Sequence, residues 1–176
     1  MSLRSLLIAS VMMLFTTSSA LAQDPNQVFK GRIMMSSKRF PLNARSKDAY
    51  IAQVRKQASS NFQEDREKKA WKIYFAAFLK APLNDVEYVI KFYELGKGPP
   101  QLLGTSEAFN DERGQKTIVS KIKLDKKQMG VNKELQMTIE NKGKVLASGR
   151  FKIIGEGEKF TGKVNFSEDE AQGKEE

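Results

Sequence analysis

Histidine and cysteine are both missing from this 176-residue chain. Without them no Ser-His-Asp triad, Cys-His pair, thiol redox centre or zinc site of ordinary nitrogen and sulfur ligands can form. A histidine-free enzyme is left with Lys, Tyr or carboxylate bases, and no spacing in the sequence marks one. No cofactor motif is read either. Disulfides are excluded too, so the fold must be stabilised by apolar burial. Long apolar runs are scarce: the most pronounced, Leu6–Phe15, is ten residues, whereas a bilayer-spanning helix needs roughly 20.

That short run sits in a recognisable setting. Arg4 precedes it, the polar stretch Thr16-Thr17-Ser18-Ser19 follows, and Ala20-Leu21-Ala22 supplies the small-x-small pattern read by signal peptidase. Residues 1–22 are therefore expected to be a secretory signal peptide, with the exported form starting at Gln23. With no Cys to carry a lipid and no transmembrane span after cleavage, the expected product is soluble and periplasmic or extracellular. Secreted eukaryotic domains often rely on disulfides, so the cysteine-free composition points to a bacterial envelope.

Charge is unevenly spread. From residue 23 onward the chain carries 29 Lys and Arg against 21 Asp and Glu, net +8. The last ten residues, 167–176 (SEDEAQGKEE), are net −4, which leaves residues 23–166 at +12. A basic segment, Lys30–Lys56, holds Lys30, Arg32, Lys38, Arg39, Arg45, Lys47, Arg55 and Lys56 against a single acid, Asp48. Such a distribution favours an anionic partner, while scattered surface lysines also serve solubility. The polar acidic tail is expected to be disordered.

Periodicity gives the organisation. In Val28–Ser36, apolar Phe29, Ile33 and Met35 alternate with Lys30, Arg32 and Met34, which predicts a strand. Ser46 is suited to cap a helix over about 47–58, where Tyr50, Ile51, Val54 and Ala58 line one face, and Glu64–Lys69 could restart it. Residues 70–80 (AWKIYFAAFLK) fit two periods. At helical spacing Trp71, Tyr74, Phe75 and Phe78 align; at strand spacing Trp71, Ile73, Phe75, Ala77 and Leu79 do. Aromatic enrichment favours the strand. Period two then persists through 86–95, 102–109, 117–124, 134–140, 145–154 and 159–166, with Asn141-Lys142-Gly143-Lys144 as a hairpin turn.

About eight short strands with one early helix predict a mainly β fold, an antiparallel immunoglobulin-like sandwich with one N-terminal helix before the main run of strands. The expected division is a basic extension over 23–69, a sandwich core over 70–166 and a tail over 167–176. The features WKIYFAAF, the DERGQ turn, NKGKVLASG and the GEGEKFTGKVNFSEDE end resemble those of uncharacterised exported bacterial proteins with an immunoglobulin-like sandwich. The resemblance covers roughly the C-terminal two-thirds of the chain; it implies the fold and carries no activity or site residues.

Two apparent motifs fail on chemistry. Gly157–Val164 has P-loop spacing, but Val164 stands where Ser or Thr must meet Mg²⁺, and no helix is expected after it. The acids Glu64, Asp65 and Glu67 are interleaved with Arg66, Lys68 and Lys69, as on a solvated face. Two surface features remain. The Lys30–Lys56 set could bind an anionic surface, and Tyr74, Phe78 and Tyr93, on strand faces opposite the expected core, could form an exposed aromatic patch. The resulting expectation is a non-enzymatic interaction module engaging an envelope protein, a glycan or an anionic lipid surface; export disfavours nucleic acid. A histidine-free enzyme and a carrier of an apolar ligand between the sheets are the alternatives.

Overall fold

The computed structural model describes residues 23–157, so the expected signal peptide, the 159–166 strand and the acidic tail lie outside the described residues. The elements are α1 (Pro25–Val28), β1 (Ile33–Ser36), α2 (Lys47–Gln57), β2 (Asn61–Gln63), β3 (Ala70–Leu83), β4 (Glu87–Leu95), β5 (Gln101–Phe109), β6 (Gln115–Asp125), α3 (Lys126–Met129), β7 (Lys133–Asn141) and β8 (Lys144–Ile154). The fold is mainly β. One sheet has the order β1-β3-β6, the other β2-β8-β7-β4-β5, and every pairing is antiparallel except β2 with β8. Among the described residues no helix is long and apolar enough to cross a membrane.

The two sheets meet across one apolar core. Trp71, Ile73, Phe75, Ala77 and Leu79 of β3 face Tyr88, Ile90 and Phe92 of β4, Leu135, Met137 and Ile139 of β7, and Phe151 and Ile153 of β8. Each set occupies alternate positions, as the pleat requires. Trp71 is fully buried and its indole N–H donates to the Ile154 carbonyl at 3.0 Å, so burying the ring leaves no polar atom unpaired. The β7–β8 hairpin turns at Lys142 (φ 49°) and Gly143 (φ 77°), the positive-φ pair that two-residue hairpin loops require.

The helix is not N-terminal: α1 and β1 precede α2, and β1 is already a strand of the three-stranded sheet. The Ser46 hydroxyl accepts from the Ala49 amide at 3.1 Å, capping α2 as the sequence suggests. Ile51 and Val54 of α2 then pack on Phe29, Phe40, Ala76 and Phe78 in a second apolar cluster. This cluster lies on the outward face of β3, so β3 is buried on both faces for part of its length. A strand buried on both faces reads as continuous apolar sequence, which is why residues 70–80 fit two periods.

Two expectations need correction here. Residues 23–69 are not a separable extension, because β1 pairs with β3 and β2 pairs with β8. The segment 64–69 does not restart a helix. Asp65 and Ala70 exchange backbone hydrogen bonds, the Asp65 carboxylate accepts from the Lys68 amide at 3.2 Å, and Lys69 takes φ 46°. An acid that can hold the amides of its own turn, with no apolar face beside it, favours the turn.

The five-stranded sheet would end at β8 but for residues from the N-terminal part of the chain. The Ser148 amide donates to the Gly31 carbonyl at 3.0 Å, Arg32 bridges Ser148, and β2 runs beside Lys152–Ile154. Covering an edge in this way removes a template for unwanted strand pairing. The crossing is tight at Gly149, where a Cβ would stand 2.6 Å from the Ile33 carbonyl oxygen.

Candidate anion-binding face

The outward side of the three-stranded sheet divides in two. Along β3 the outward residues are Lys72, Tyr74, Ala76 and Phe78. Their partners across the β3–β6 ladder are Lys123, Lys121, Val119 and Thr117. The Ala76–Phe78 half lies under α2 and Phe40. The Lys72–Tyr74 half is bare, and Lys72, Lys121 and Lys123 are all exposed.

Register therefore sets Lys72 directly opposite Lys123, with Lys121 one step along the same face. Arg39 joins them: one groove is lined by Arg39, Tyr74, Val119, Ser120 and Lys121, and an adjoining one by Asp65, Lys68, Ala70, Lys72, Lys121 and Lys123. Among the described residues none of Arg39, Lys72, Lys121 and Lys123 has a carboxylate within ion-pair distance. The nearby Asp65 is engaged by Lys68 at 3.0 Å. Like charges directly opposed on one sheet face are destabilising, by roughly 0.2–1 kcal/mol.

Tyr74 sits at the centre of this field. The Lys72 ammonium lies 5.2 Å from its ring centroid. The Tyr74 phenol is held below its usual value first by hydrogen bonding from Lys72; partial desolvation opposes this, and the charges of Lys72, Lys121 and Arg39 reinforce it. Lys72, Lys121 and Arg39 thus all act on this phenol in the same direction.

The other sheet handles charge differently. Lys91 pairs with Glu140 at 2.7 Å and Lys133 with Glu94 at 2.6 Å, while Glu134 stands opposite Lys152. Opposite charges are matched there, so the arrangement on β3 and β6 is not the chain's general habit.

The eight basic residues singled out from the sequence are all exposed, and the fold disperses them. Lys30 lies at the far end beside Lys80 and Lys116. Arg32 is at the β8 crossing, Arg55 stands 5.8 Å over the Phe29 ring, and Arg45 and Lys47 flank the start of α2. Lys38 and Lys56 line a groove with Ser36; since Ser36 is the cross-strand partner of Tyr74, this groove adjoins the bare face. Arg39 alone of the eight reaches it directly.

The expected aromatic patch does not form. Phe78 is fully buried, packed on Phe29 at 4.8 Å and Tyr50 at 6.5 Å, because α2 covers that part of the sheet. Tyr93 lies on the five-stranded sheet opposite Gln136 and Leu102. Only Tyr74 remains on the bare face, half-buried. Lys72, Lys121 and Lys123 escaped the sequence reading, although Lys121 and Lys123 share a strand face, because nothing in the linear order places them beside Lys72. No family model matches this chain, and no curated protein is similar to it.

Proposed function

We propose that this chain is an exported, non-enzymatic interaction module that engages an anionic surface through the Arg39, Lys72, Lys121 and Lys123 face. The observation that carries the reading is the opposed pair Lys72–Lys123: the register sets two like charges across from each other where an acid on either strand would relieve the repulsion. A counter-charge supplied by a partner relieves it instead. Lys38 and Lys56 extend the field at one edge, and Tyr74 offers a flat ring among the cations.

The proposed scaffold is an immunoglobulin-like sandwich. With β3, β4, β5, β6, β7 and β8 read as B, C, C′, E, F and G, and β1 as A, the sheet orders become A-B-E and C′-C-F-G, the second with the short β2 added parallel to G. This order, with two facing sheets whose A–G pairings are antiparallel, supports the reading. The carrier alternative is not favoured, since Trp71, Phe75, Phe92, Met137 and Ile139, each at most 2% exposed, fill the space between the sheets.

Co-sedimentation with vesicles of phosphatidylglycerol, and of phosphatidylcholine as the neutral control, tests the reading across a salt series. Binding to the anionic vesicles is expected at low ionic strength and should fade toward physiological salt, where charges more than about 8 Å apart are screened. The combined change Lys72→Ser, Lys121→Ser and Lys123→Ser should abolish it without lowering the melting temperature. Retained binding in that variant overturns the assignment of the face. Export is tested by the intact mass of the secreted protein, expected to begin at Gln23.

A further inference from the structure

Each sheet has two outer strands. Among the described residues these are β1 and β6 in one sheet and β2 and β5 in the other. β1 and β2 are only four and three residues long, and the Ser59 amide donates to the Met35 carbonyl of β1 at 2.8 Å. β6 is long but carries Lys116, Lys121 and Lys123, the kind of charge that keeps an edge from pairing. β5 has neither protection. It runs nine residues, Gln101–Phe109, and residues 98–112 contain no Lys or Arg. Glu107 is its one charge, and among the described residues no strand takes up the N–H and C=O groups of its outer edge.

A bulge shapes this edge. Gly104 stands opposite Phe92 and Leu102 opposite Tyr93, so Leu103 is an extra residue, and it packs on the core. The extra residue brings Leu102 onto the outward face with Thr105, Glu107 and Phe109; in a regular strand it would point the other way. Leu102 and Phe109, at 51% and 69% exposure, are two of the four large apolar side chains left exposed among the described residues. The inner row, Gly104, Ser106 and Ala108, holds only small side chains.

Such an edge is complementary to itself. About a two-fold axis through Ser106, that residue meets its own counterpart, Gly104 meets Ala108 and Thr105 meets Glu107. Across the two bulges Leu102 meets Phe109. Both exposed apolar side chains are then covered, the inner row presents nothing bulky, and no like charges stand opposed.

We propose that two copies of this chain pair antiparallel along β5 in this register, joining two five-stranded sheets into one continuous sheet. The axis of an antiparallel edge pairing is perpendicular to the sheet, so both three-stranded sheets fall on the same side of it. The two Arg39, Lys72, Lys121 and Lys123 faces then look the same way and can engage one anionic surface together. That consequence rests on the anionic-surface reading; the pairing itself does not. One strand pair buries less than the roughly 1,200 Å² of a stable interface, which places the association in the weak class.

By sedimentation equilibrium the chain from Gln23 to Glu176 should be dimeric at about 1 mM and mostly monomeric at about 1 μM, as a Kd between those values requires. Two variants of equal charge change separate the register from bulk charge. Ser106→Lys, at an exposed position, opposes two lysines across the axis and should weaken the dimer about two- to fivefold; Thr105→Lys meets Glu107 of the other copy twice and should tighten it about two- to tenfold. Because the chain lacks cysteine, one introduced thiol reports the alignment. Ser106→Cys should give a disulfide-linked dimer on mild oxidation, while Thr105→Cys, whose counterpart lies about 8 Å away and beyond disulfide reach, should not. A chain that stays monomeric at the higher concentration overturns the inference. So does a dimer that both lysine variants weaken alike, or one that Thr105→Cys links as readily as Ser106→Cys. The linked Ser106→Cys dimer should bind phosphatidylglycerol vesicles at least about tenfold more tightly than the same protein reduced and dilute; equal affinity overturns the shared orientation of the two faces. Dimerisation without vesicle binding supports the pairing and overturns the anionic-surface reading, and vesicle binding by a strictly monomeric chain does the reverse.

Discussion

Replacing Lys123 with Glu should make the protein more stable while weakening its binding. In the β3–β6 register the new carboxylate faces Lys72 directly. Removing the like-charge contact gains roughly 0.2–1 kcal/mol and creating an exposed cross-strand ion pair a similar amount. Part is lost if Lys72 leaves the Tyr74 ring, a contact worth about 0.5–1 kcal/mol at an exposed site. With each term at mid-range the net expectation is a gain of about 0.5 kcal/mol, or about 1–2 °C in Tm for a domain of this size. Thermal melts at low salt measure it, and the gain should shrink toward 1 M salt, where the screening length falls to about 3 Å. The mirror change, Lys152→Glu opposite Glu134, should lower Tm by a comparable amount. A Lys123→Glu protein melting below its parent at low salt would falsify the claim that two lysines oppose one another there.

Phe78→Ala should cost about 3–5 kcal/mol in chemical denaturation, the usual range for emptying a buried aromatic site, whereas Tyr74→Ala on the bare face should cost far less. Gly149→Ala should cost about 1–3 kcal/mol through overpacking against the Ile33 carbonyl and the Met35 side chain, visible as a lower denaturation midpoint at unchanged slope. Ultraviolet titration of the tyrosines should show one early phase that Tyr74→Phe removes, and late phases from Tyr50 and Tyr88, whose phenols burial pushes above 10.0. Because those two are raised on folding, their contribution to stability is complete below pH 10.0 and lost as pH climbs through the folded values. Tyr74 is shifted the other way, so its contribution is present above pH 10.0 and lost as pH falls through the lower folded value.

The parts of the fold that could be read from sequence are those where one strand face is wet. β4 and β7 alternate in sequence because one side of the five-stranded sheet packs on the core and the other carries polar side chains, even where, as at Thr138 and Glu140, these are themselves buried. β3 was ambiguous for the opposite reason: α2 takes Ala76 and Phe78 out of water, and an apolar residue at every position erases the period. β2 is three residues long and exists because β8 is beside it, a pairing that no local signal encodes. The candidate site was legible even less. A run of cations such as Lys30–Lys56 is conspicuous in a line of text, yet α1, β1 and α2 turn that stretch around the sheet and scatter its charges. Lys72 and Lys123 are inconspicuous in sequence and become neighbours only through register, a property of two strands jointly.

The seal on β8 sets the order in which this domain can be finished. Residues 31–32 and 61–63 leave the ribosome early, but their partners Ser148 and Lys152–Ile154 are made roughly ninety to more than a hundred residues later. Closing loops of that length must precede any reward from the contacts, which slows folding. Until β8 arrives, Phe62 lacks Phe151, the ring it meets at 5.9 Å in the finished core, and Trp71 lacks its acceptor on Ile154. A nascent chain is thereby kept from completing its sandwich until nearly all of the described chain has been made.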